Sequence, residues 1–506
     1  MKDVLIVGAG PTGLVLALWL NKQGISTRII DKSSGPGETS RAMAVQARTL
    51  ELYRQLGLDN AVVENGHKNM AINLWVQGKR KATVSFKNAG AGLSPYPYLL
   101  VYPQDKHEKL LVERLGSLGI LVERKTELLS FEDDGDFVSA RLRMPDGSEE
   151  ICQVRYLTGC DGARSTTRVQ LGDKFEGGTY KHVFYVADVE TSGFENAGDV
   201  HISLDSADFV AVLSYSSSGQ SRLIGTVKDE RPENAETLKF EDVSRQAIGS
   251  LGLNIDKVNW FSTYRVHHRV ATNFRCGLVF LLGDAAHIHS PAGGQGMNTG
   301  IMDAINLAWK LAAVLKNKAP DSLLDSYAIE RQAFARTLVN TTDRIFSFVS
   351  KEGSFAAFIR VHITPIFINI VANIPSGRAL MFRLVSQTRM NYRKGPLSEG
   401  RLNKVHGGDR LPWLELSGSD NYQPLSEIGW QMHVYGTAKQ DLKRWCENNH
   451  VTLSEFDWQP DYENKGIASD AAYLLRPDTY VALADAQQSS EAFNKYFASH
   501  GFTYAS

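Results

Sequence analysis

The chain has 506 residues, 55 Lys and Arg against 56 Asp and Glu, a formal net charge of -1 and 43% apolar residues. Such a length supports roughly two to four domains with real cores, and the balanced charge, without a basic run, argues against a nucleic-acid partner. The four cysteines (Cys152, Cys160, Cys276, Cys446) lie far apart with no Cys-x-x-Cys, which argues against a disulfide framework or zinc site and fits a reducing, cytoplasmic setting.

Val4–Val7 is a short apolar run suited to a buried parallel strand. Gly8-Ala9-Gly10-Pro11-Thr12-Gly13 follows, and Leu14–Leu20 continues as a helix that ends near Gly24. The glycines also interrupt what Lys2 and the apolar run would otherwise suggest, a signal peptide. A second strand, Ser26–Ile30, ends in Asp31. Strand, glycine turn, helix, strand and acid form the whole context of a dinucleotide-binding fingerprint. Gly8 permits the tight turn, Gly10 lets backbone approach a pyrophosphate, and Gly13 lets helix and strand pack closely. Asp31 is placed to accept hydrogen bonds from ribose hydroxyls. The motif alone does not separate FAD from NAD.

Further on, Arg41 precedes a helical stretch, and Gln104, read as a loop residue, precedes an amphipathic helix over Lys106–Leu118. Glu132–Asp136 reads as a solvated acidic turn. Gly159-Cys160-Asp161-Gly162-Ala163-Arg164 is a second glycine-acid motif. Four stretches, His182–Glu190, Val200–Leu204, Phe209–Leu213 and Ser221–Val227, alternate or run apolar between polar and glycine breaks, which predicts an inserted antiparallel sheet. Val258–Arg269 returns the chain. Leu278–Leu282 is then a strand that breaks at Gly283-Asp284-Ala285-Ala286-His287, and a loop from Pro291 to Gly300 with four glycines feeds a helix. Ile301, Ile305, Ala308, Leu311, Ala312 and Leu315 give that helix one apolar face. A bare-backbone loop beside a helix N-terminus suits a polar or anionic group. His287 and His289 flank the acidic motif and read as structural, not as a metal pair. Residues 343–393 read as helical, aromatic and mildly basic. Their most apolar part, Ile363–Ile374, is broken by Pro365, Asn369 and Asn373 and is too short to span a bilayer. Gly395-Pro396-Leu397-Ser398 marks a linker.

The motifs Gly8–Gly13 with Asp31, Gly159–Arg168 and Gly283–His287 coincide in one chain, and together they resemble the group A, para-hydroxybenzoate hydroxylase-like flavoprotein monooxygenases. The likeness is close over about residues 1–340. It implies an α/β fold: a Rossmann-like FAD-binding domain (1–175 and 270–340), an inserted antiparallel β-sheet substrate domain (176–269) and a helical connector (341–395). His406–Pro412 and Leu474–Ala482 resemble the C-terminal thioredoxin-like domain (400–506) of the phenol hydroxylase and aromatic polyketide hydroxylase types. With only Cys446 there, no thiol chemistry is expected.

The resemblance implies FAD as cofactor. Gly8, Gly10, Pro11, Thr12, Gly13, Asp31 and Lys32 would hold its ADP part, and Leu128 its adenine. Arg41 and Gln104 would lie at the phosphate and ribityl side. Asp161 and Arg164 would support FAD and the approach of NAD(P)H. Asp284 would bond a ribityl hydroxyl, and Pro291, Gly294, Gln295, Gly296, Met297 and Asn298 would border the isoalloxazine ring. The implied reaction consumes NAD(P)H and O2 and hydroxylates a phenolic or polycyclic aromatic ring through a flavin C4a-hydroperoxide. Tyr215, Tyr264 and His267 are candidate substrate contacts. No catalytic side chain is implied beyond the flavin, and no metal. An antibiotic-inactivating or Baeyer–Villiger oxygenase of the same fold, or a flavin-binding protein without turnover, stays open, as does the choice between monomer and homodimer.

Overall fold

The computed structural model describes residues 1–503 except 38–41, 193–197, 205–208, 217–218, 228–237, 244–247, 291–293 and 351–358. The apolar run at the N-terminus forms the strand Lys2–Val7 in the middle of an eight-stranded sheet. Along its main path the order is Arg275–Cys276, Val279–Leu281, Glu149–Gly159, Lys2–Val7, Thr27–Asp31 and Val122–Arg124. The last five of these pair in parallel, with Val7 opposite both Gly159 and Ile30. An antiparallel flap, Glu127–Asp133 and Val138–Arg143, extends from Glu149–Gly159.

The helix Pro11–Lys22 is buried on all sides from Leu14 to Leu20, as its apolar circumference requires. It packs between this sheet and the long helix Gly296–Leu315. That long helix differs from the expectation of a single buried face. It is buried all round from Asn298 to Ala312, Asp303, Asn306 and Lys310 included. The polar side that looked solvent-facing is enclosed by the helix Asp325–Ser350 and by the C-terminal unit.

The expected antiparallel sheet is present, in the order His287–Ile288, Asn254–Ala271, Phe175–Ser192, Gln220–Val227, Phe209–Ser214, Val200–Leu204, Ala71–Val76 and Lys79–Ser85, with one parallel joint between Val200–Leu204 and Ala71–Val76. Its last two strands form a hairpin from the segment placed by sequence in the first domain. Its first strand directly follows the Gly283-Asp284 motif, with Val270 opposite His287. One sheet face packs under Leu251, Leu253 and Val243. At the hairpin end, the other face packs against Val361 and Ile368 of the helical segment.

The C-terminal unit has a four-stranded sheet in the order Thr452–Phe456, Gln431–Tyr435, Ala472–Leu475, Val481–Asp485. The first pair is parallel and the others antiparallel, and the helices Gln440–Asn448 and Ser490–Ser499 accompany it. Trp430 meets Trp309 of the long helix edge to face, so the main core runs without a break into this unit. No helix among the described residues is long and apolar enough to cross a membrane.

Candidate functional site

Three loops leave neighbouring parallel strands at the same sheet edge: Gly8–Gly13 after Val7, Cys160–Gly162 after Gly159, and Gly283–Ala285 after Leu281. Parallel pairing therefore brings the three sequence motifs to one place, the carboxyl edge where α/β sheets bind ligands. Cys160 N–H donates to Val7 O (2.8 Å), and Leu282 N–H to Gly159 O (3.0 Å).

The glycines are dictated by contact distances. A Cβ on Gly8, which sits at φ +106°, would lie 2.3 Å from Cys160 O, and one on Gly13 would lie 2.0 Å from Gly8 O. Gly10 differs: nothing lies within 4 Å of its Cβ position, so its backbone is open on that side. Gly10 caps the helix Pro11–Lys22 without any side-chain cap. Its first-turn N–H groups thus have no partner within the helix, and they carry its positive end.

A cavity of about 100 Å3 opens beside this loop, lined by Val7, Gly8, Asp31, Lys32, Thr126, Glu127, Leu128, Asp161 and Thr166. Five sequence candidates meet there: Gly8, Asp31, Lys32, Leu128 and Asp161. Asp31 Oδ2 accepts the N–H of Ala9 (2.7 Å), and Oδ1 that of Ser33 (2.7 Å), so the carboxylate braces the glycine turn. Asp161 also works locally, accepting from Ser165 Oγ and from Thr167 N–H (3.0 Å). An open Gly10, a bare helix start and a cavity holding both Asp31 and Leu128 fit the ADP part of a dinucleotide. Sequence reasoning missed Thr126, Glu127 and Thr166. Thr126 and Glu127 precede Leu128 and Thr166 follows the Asp161 motif, but none of these residue types marks a cavity lining by itself.

Gln104 is the first residue of the helix Gln104–Ser117, not a loop residue as expected. Its N–H donates to Ala42 O (3.2 Å) and its Nε2 to Glu108 (2.7 Å). Gly296, Met297 and Asn298 likewise lie in the first turn of their helix and not in a loop. Asn298 is fully buried and saturated. Its Oδ1 accepts from Gln46 N–H (2.9 Å) and Thr49 Oγ1 (2.8 Å), and its Nδ2 donates to Ala44 O (2.8 Å) and Gly294 O (3.0 Å). The side chain locks the glycine loop to the 44–49 segment and leaves only the backbone to face outward. Gly294 sits at φ +61°, with Ala44 Cβ 2.7 Å from where its own Cβ would be. Arg41 and Pro291 lie outside the described residues.

Asp284 is exposed on a short 3-10 turn. Beneath it Asp303 ties the turn down: Oδ2 accepts from Gly283 N–H (3.0 Å) and pairs with His287 Nε2 (2.7 Å), and Oδ1 accepts from Arg331 Nε (2.6 Å). Burial would raise the Asp303 pKa, but Arg331 and His287 outweigh it and hold the carboxyl below its usual range. Arg331 also donates to Thr299 O (3.1 Å) and to Tyr392 Oη (2.9 Å). This clamp was not anticipated. Its residues are buried, and no group of metal-binding side chains occurs among the described residues.

The three substrate candidates do not form one lining. Tyr264 shares a small apolar cluster with Phe184 and Val266. Strand alternation turns His267 to the opposite face, where Thr179 Oγ1 lies 2.7 Å from its Nδ1. Tyr215 lies by the bidentate Arg222–Asp188 pair, and burial pushes its hydroxyl up to about 12. Cys446 is buried and its thiol is likewise pushed up to about 12, which keeps it protonated.

Comparison with known proteins matches this architecture. The family described as FAD binding domain matches residues 1–342. The 6-methylpretetramide 4-monooxygenase of Streptomyces rimosus is 36% identical over 95% of this chain and 90% of its own length. The pentachlorophenol 4-monooxygenase of Sphingobium chlorophenolicum is 31% identical over 82% of this chain and 76% of its own. The solved structure of the OxyS anhydrotetracycline hydroxylase from Streptomyces rimosus superposes with a TM-score of 0.77 at 26% identity, covering 100% of both chains. The three converging glycine loops and these matches along nearly the whole chain lead to one assignment: it belongs to the FAD-binding-domain family of flavin-dependent aromatic monooxygenases.

Proposed function

We propose that the chain is an FAD-dependent monooxygenase that consumes NAD(P)H and O2 and hydroxylates a phenolic or polycyclic aromatic substrate. The observation that carries it is the meeting of three glycine-acid loops at one sheet edge, beside a cavity holding Asp31 and Leu128. The substrate class rests on relatives named for pentachlorophenol and for tetracycline-type polycycles. FAD, when bound, supplies the redox and oxygen-transfer chemistry.

The protein binds, orients and shields. Gly8, Gly10, Pro11, Thr12 and Gly13 receive the diphosphate on a helix start. Asp31 takes the ribose, and Lys32, Leu128 and Asp161 border the adenosine end. Arg41, Gln104 and Asp284 hold the ribityl side. The backbone of Gly294–Asn298, with Pro291, borders the ring. There the positive end of the helix Gly296–Leu315 favours negative charge on the reduced cofactor. Tyr215 and Tyr264 share one face of the antiparallel sheet and are the better substrate candidates, and His267 is the poorer. The C-terminal unit, with its central strand between one parallel and one antiparallel neighbour, is read as thioredoxin-like and structural. The domain limits follow the sequence reading, with the 71–85 hairpin added to the substrate sheet. A cytoplasmic location fits the four free cysteines.

The test is anaerobic mixing of the FAD-loaded protein with NADH or NADPH, with and without a phenolic ligand. Loss of the yellow oxidised absorbance is expected, faster with ligand. Aerobic turnover with a phenol and polyketide panel should yield a product heavier by one oxygen. No reduction with any ligand would sink the proposal.

A further inference from the structure

The helical segment after residue 358 carries apolar side chains on two opposite faces. The helix Thr364–Asn373 packs inward through Pro365, Ile368 and Ala372, and Ile368 joins the core of the antiparallel sheet with Val361. Outward it presents Ile363, Ile366, Phe367, Ile370 and Ile374, at helical spacings of three and four, with Ile366 62% and Phe367 65% exposed. Leu380 and Leu384, one turn apart on the helix Pro375–Val385, extend this apolar surface. Scattered exposed apolar residues need no explanation, but a contiguous stripe on one helix face does. A helix apolar on its outer as well as its inner side expects a second apolar medium.

The charges around the stripe identify that medium. From Ile359 to Ser398 the sequence has no Asp or Glu, yet it carries Arg360, Arg378, Arg383, Arg389, Arg393 and Lys394 in a chain of net charge -1. Asp409 neutralises Arg393. Among the described residues, no ion pair involves Arg378, Arg383 or Arg389. Arg383 and Arg389 are exposed. Arg383 reaches solvent but is partly enclosed, and that partial burial, then Arg410 and Arg389, lowers its pKa from the usual range. The ammonium of Lys465 is lowered by burial and then by Arg383 and Arg410. Cations thus gather beside the helix Pro375–Val385: Arg410 is answered by Glu51 and Lys465 has Asp461 nearby, whereas Arg383 and Arg389 have no ion pair among the described residues. Pairing this face with a second copy of itself would set cations against cations. A surface combining hydrocarbon depth with negative headgroups complements both features.

We infer that the helices Thr364–Asn373 and Pro375–Val385 form a docking face for the surface of an anionic lipid bilayer, the isoleucines and Phe367 entering the interface and Arg383 and Arg389 meeting the headgroups. The chain lies on the membrane and does not cross it. This inference is independent of the reaction, so its failure leaves the oxygenase reading untouched, and the reverse also holds.

The test is co-sedimentation of the FAD-loaded full chain with phosphatidylcholine vesicles and with vesicles of equal parts phosphatidylcholine and phosphatidylglycerol. Pelleting is expected with the anionic vesicles and is expected to fall in high salt. The triple variant Ile366→Ser/Phe367→Ser/Ile370→Ser should lose it while keeping its flavin content and melting temperature, since all three side chains are exposed. Arg383→Gln/Arg389→Gln should weaken it by roughly thirtyfold at low salt, because each basic group near an anionic surface is worth about fivefold. Equal pelleting on both vesicle types, or unchanged pelleting of the triple variant, overturns the inference. So does a dimer in light scattering that the triple variant dissolves without any vesicle binding, which would give the face to a second copy.

Discussion

Two regions of this molecule gather charge beside the start of a helix, and they handle it in opposite ways. At the cradle beside the glycine loops, Asp31 and Asp161 spend part of their hydrogen-bonding capacity on their own loops and turn the remainder to a cavity. At the seam between the long helix, the helix Asp325–Ser350 and the C-terminal unit, every charge is answered within the protein. Glu330 accepts from Arg476 (2.6 and 3.0 Å), Lys310 (2.8 Å) and Asn306 (2.8 Å). Arg476 is also bound by Asp478, and Glu51 by Arg48 and Arg410. The ionic side chains of the seam are almost wholly buried. Perturbed acids and bases often mark function, but structural networks perturb them as well. The difference lies in what is left over: the cradle keeps acceptors facing a void, and the seam keeps none.

The sharpest way to break the comparison is to empty one position in the seam. Glu330→Ala leaves Lys310 and Arg476 buried without their carboxylate, and it should cost about 3–5 kcal/mol of stability. Denaturant unfolding followed by fluorescence measures it, and a loss under 1 kcal/mol would mean the charges are solvated. Acid separates the seam from the neutral core. Burial lowers His107 to about 4 and His433 to about 3 from 6.5. A depressed imidazole binds protons first in the unfolded chain, so stability falls as pH drops from 6.5 through 4, by up to about 3 kcal/mol per group. Glu330 responds later. Burial alone would raise its pKa, but Arg476 and Lys310 hold it at about 2. Its contribution is complete above the unfolded value of 4.5 and disappears as pH falls from there towards 2. Urea midpoints measured across pH 7 to 3 should therefore decline in two stages, the imidazole stage first, and His433→Gln should soften only that one.

Asp284→Ala probes the open region. On the proposed ribityl contact it removes a hydrogen-bond acceptor, so FAD affinity should fall roughly ten- to a hundredfold, the equivalent of about 1–3 kcal/mol. Unchanged FAD affinity in a titration would refute its ribityl role. The smallest effect belongs to an open ion pair. Lys257 and Glu190 are both largely solvated, and Lys257→Ala should change stability by less than about 0.5 kcal/mol in the same unfolding assay.

The cradle was readable in the sequence because its residues stand at fixed offsets set by local geometry. Gly8, Gly13 and Asp31 follow from one strand-turn-helix-strand unit, and the contact distances at each glycine give the reason. The antiparallel sheet was readable from alternation, apart from its hairpin. Ala71–Val76 finds its partner strand at Val200–Leu204, too far along the chain for any local pattern to announce. The seam was not readable for the same reason. Asp303, Asn306 and Lys310 stand on a helix with an apolar stripe and look like its wet side. Only Arg331, Glu330 and Arg476, brought in from later segments, turn that side into core. The acidic turn Glu132–Asp136 is exposed, as its composition reads. What the composition does not announce is that Asp133 also accepts the N–H of Leu278 (2.8 Å), at the start of the strand that leads to Asp284.

The seam also joins segments that are synthesised far apart in time. A chain emerging from the ribosome presents Asp303, Lys310 and Glu330 long before Arg476 and Asp478 leave the exit tunnel. Until then Lys310 can pair with Glu330 and Asp303 with Arg331, but Glu330 lacks the two bonds that Arg476 donates. The first three hundred residues can pair their strands, since Lys2–Val7 needs only Glu149–Gly159 and Thr27–Asp31. The last cover of the long helix comes from residues near the far end of the chain, Arg476 over Glu330 and Trp430 against Trp309.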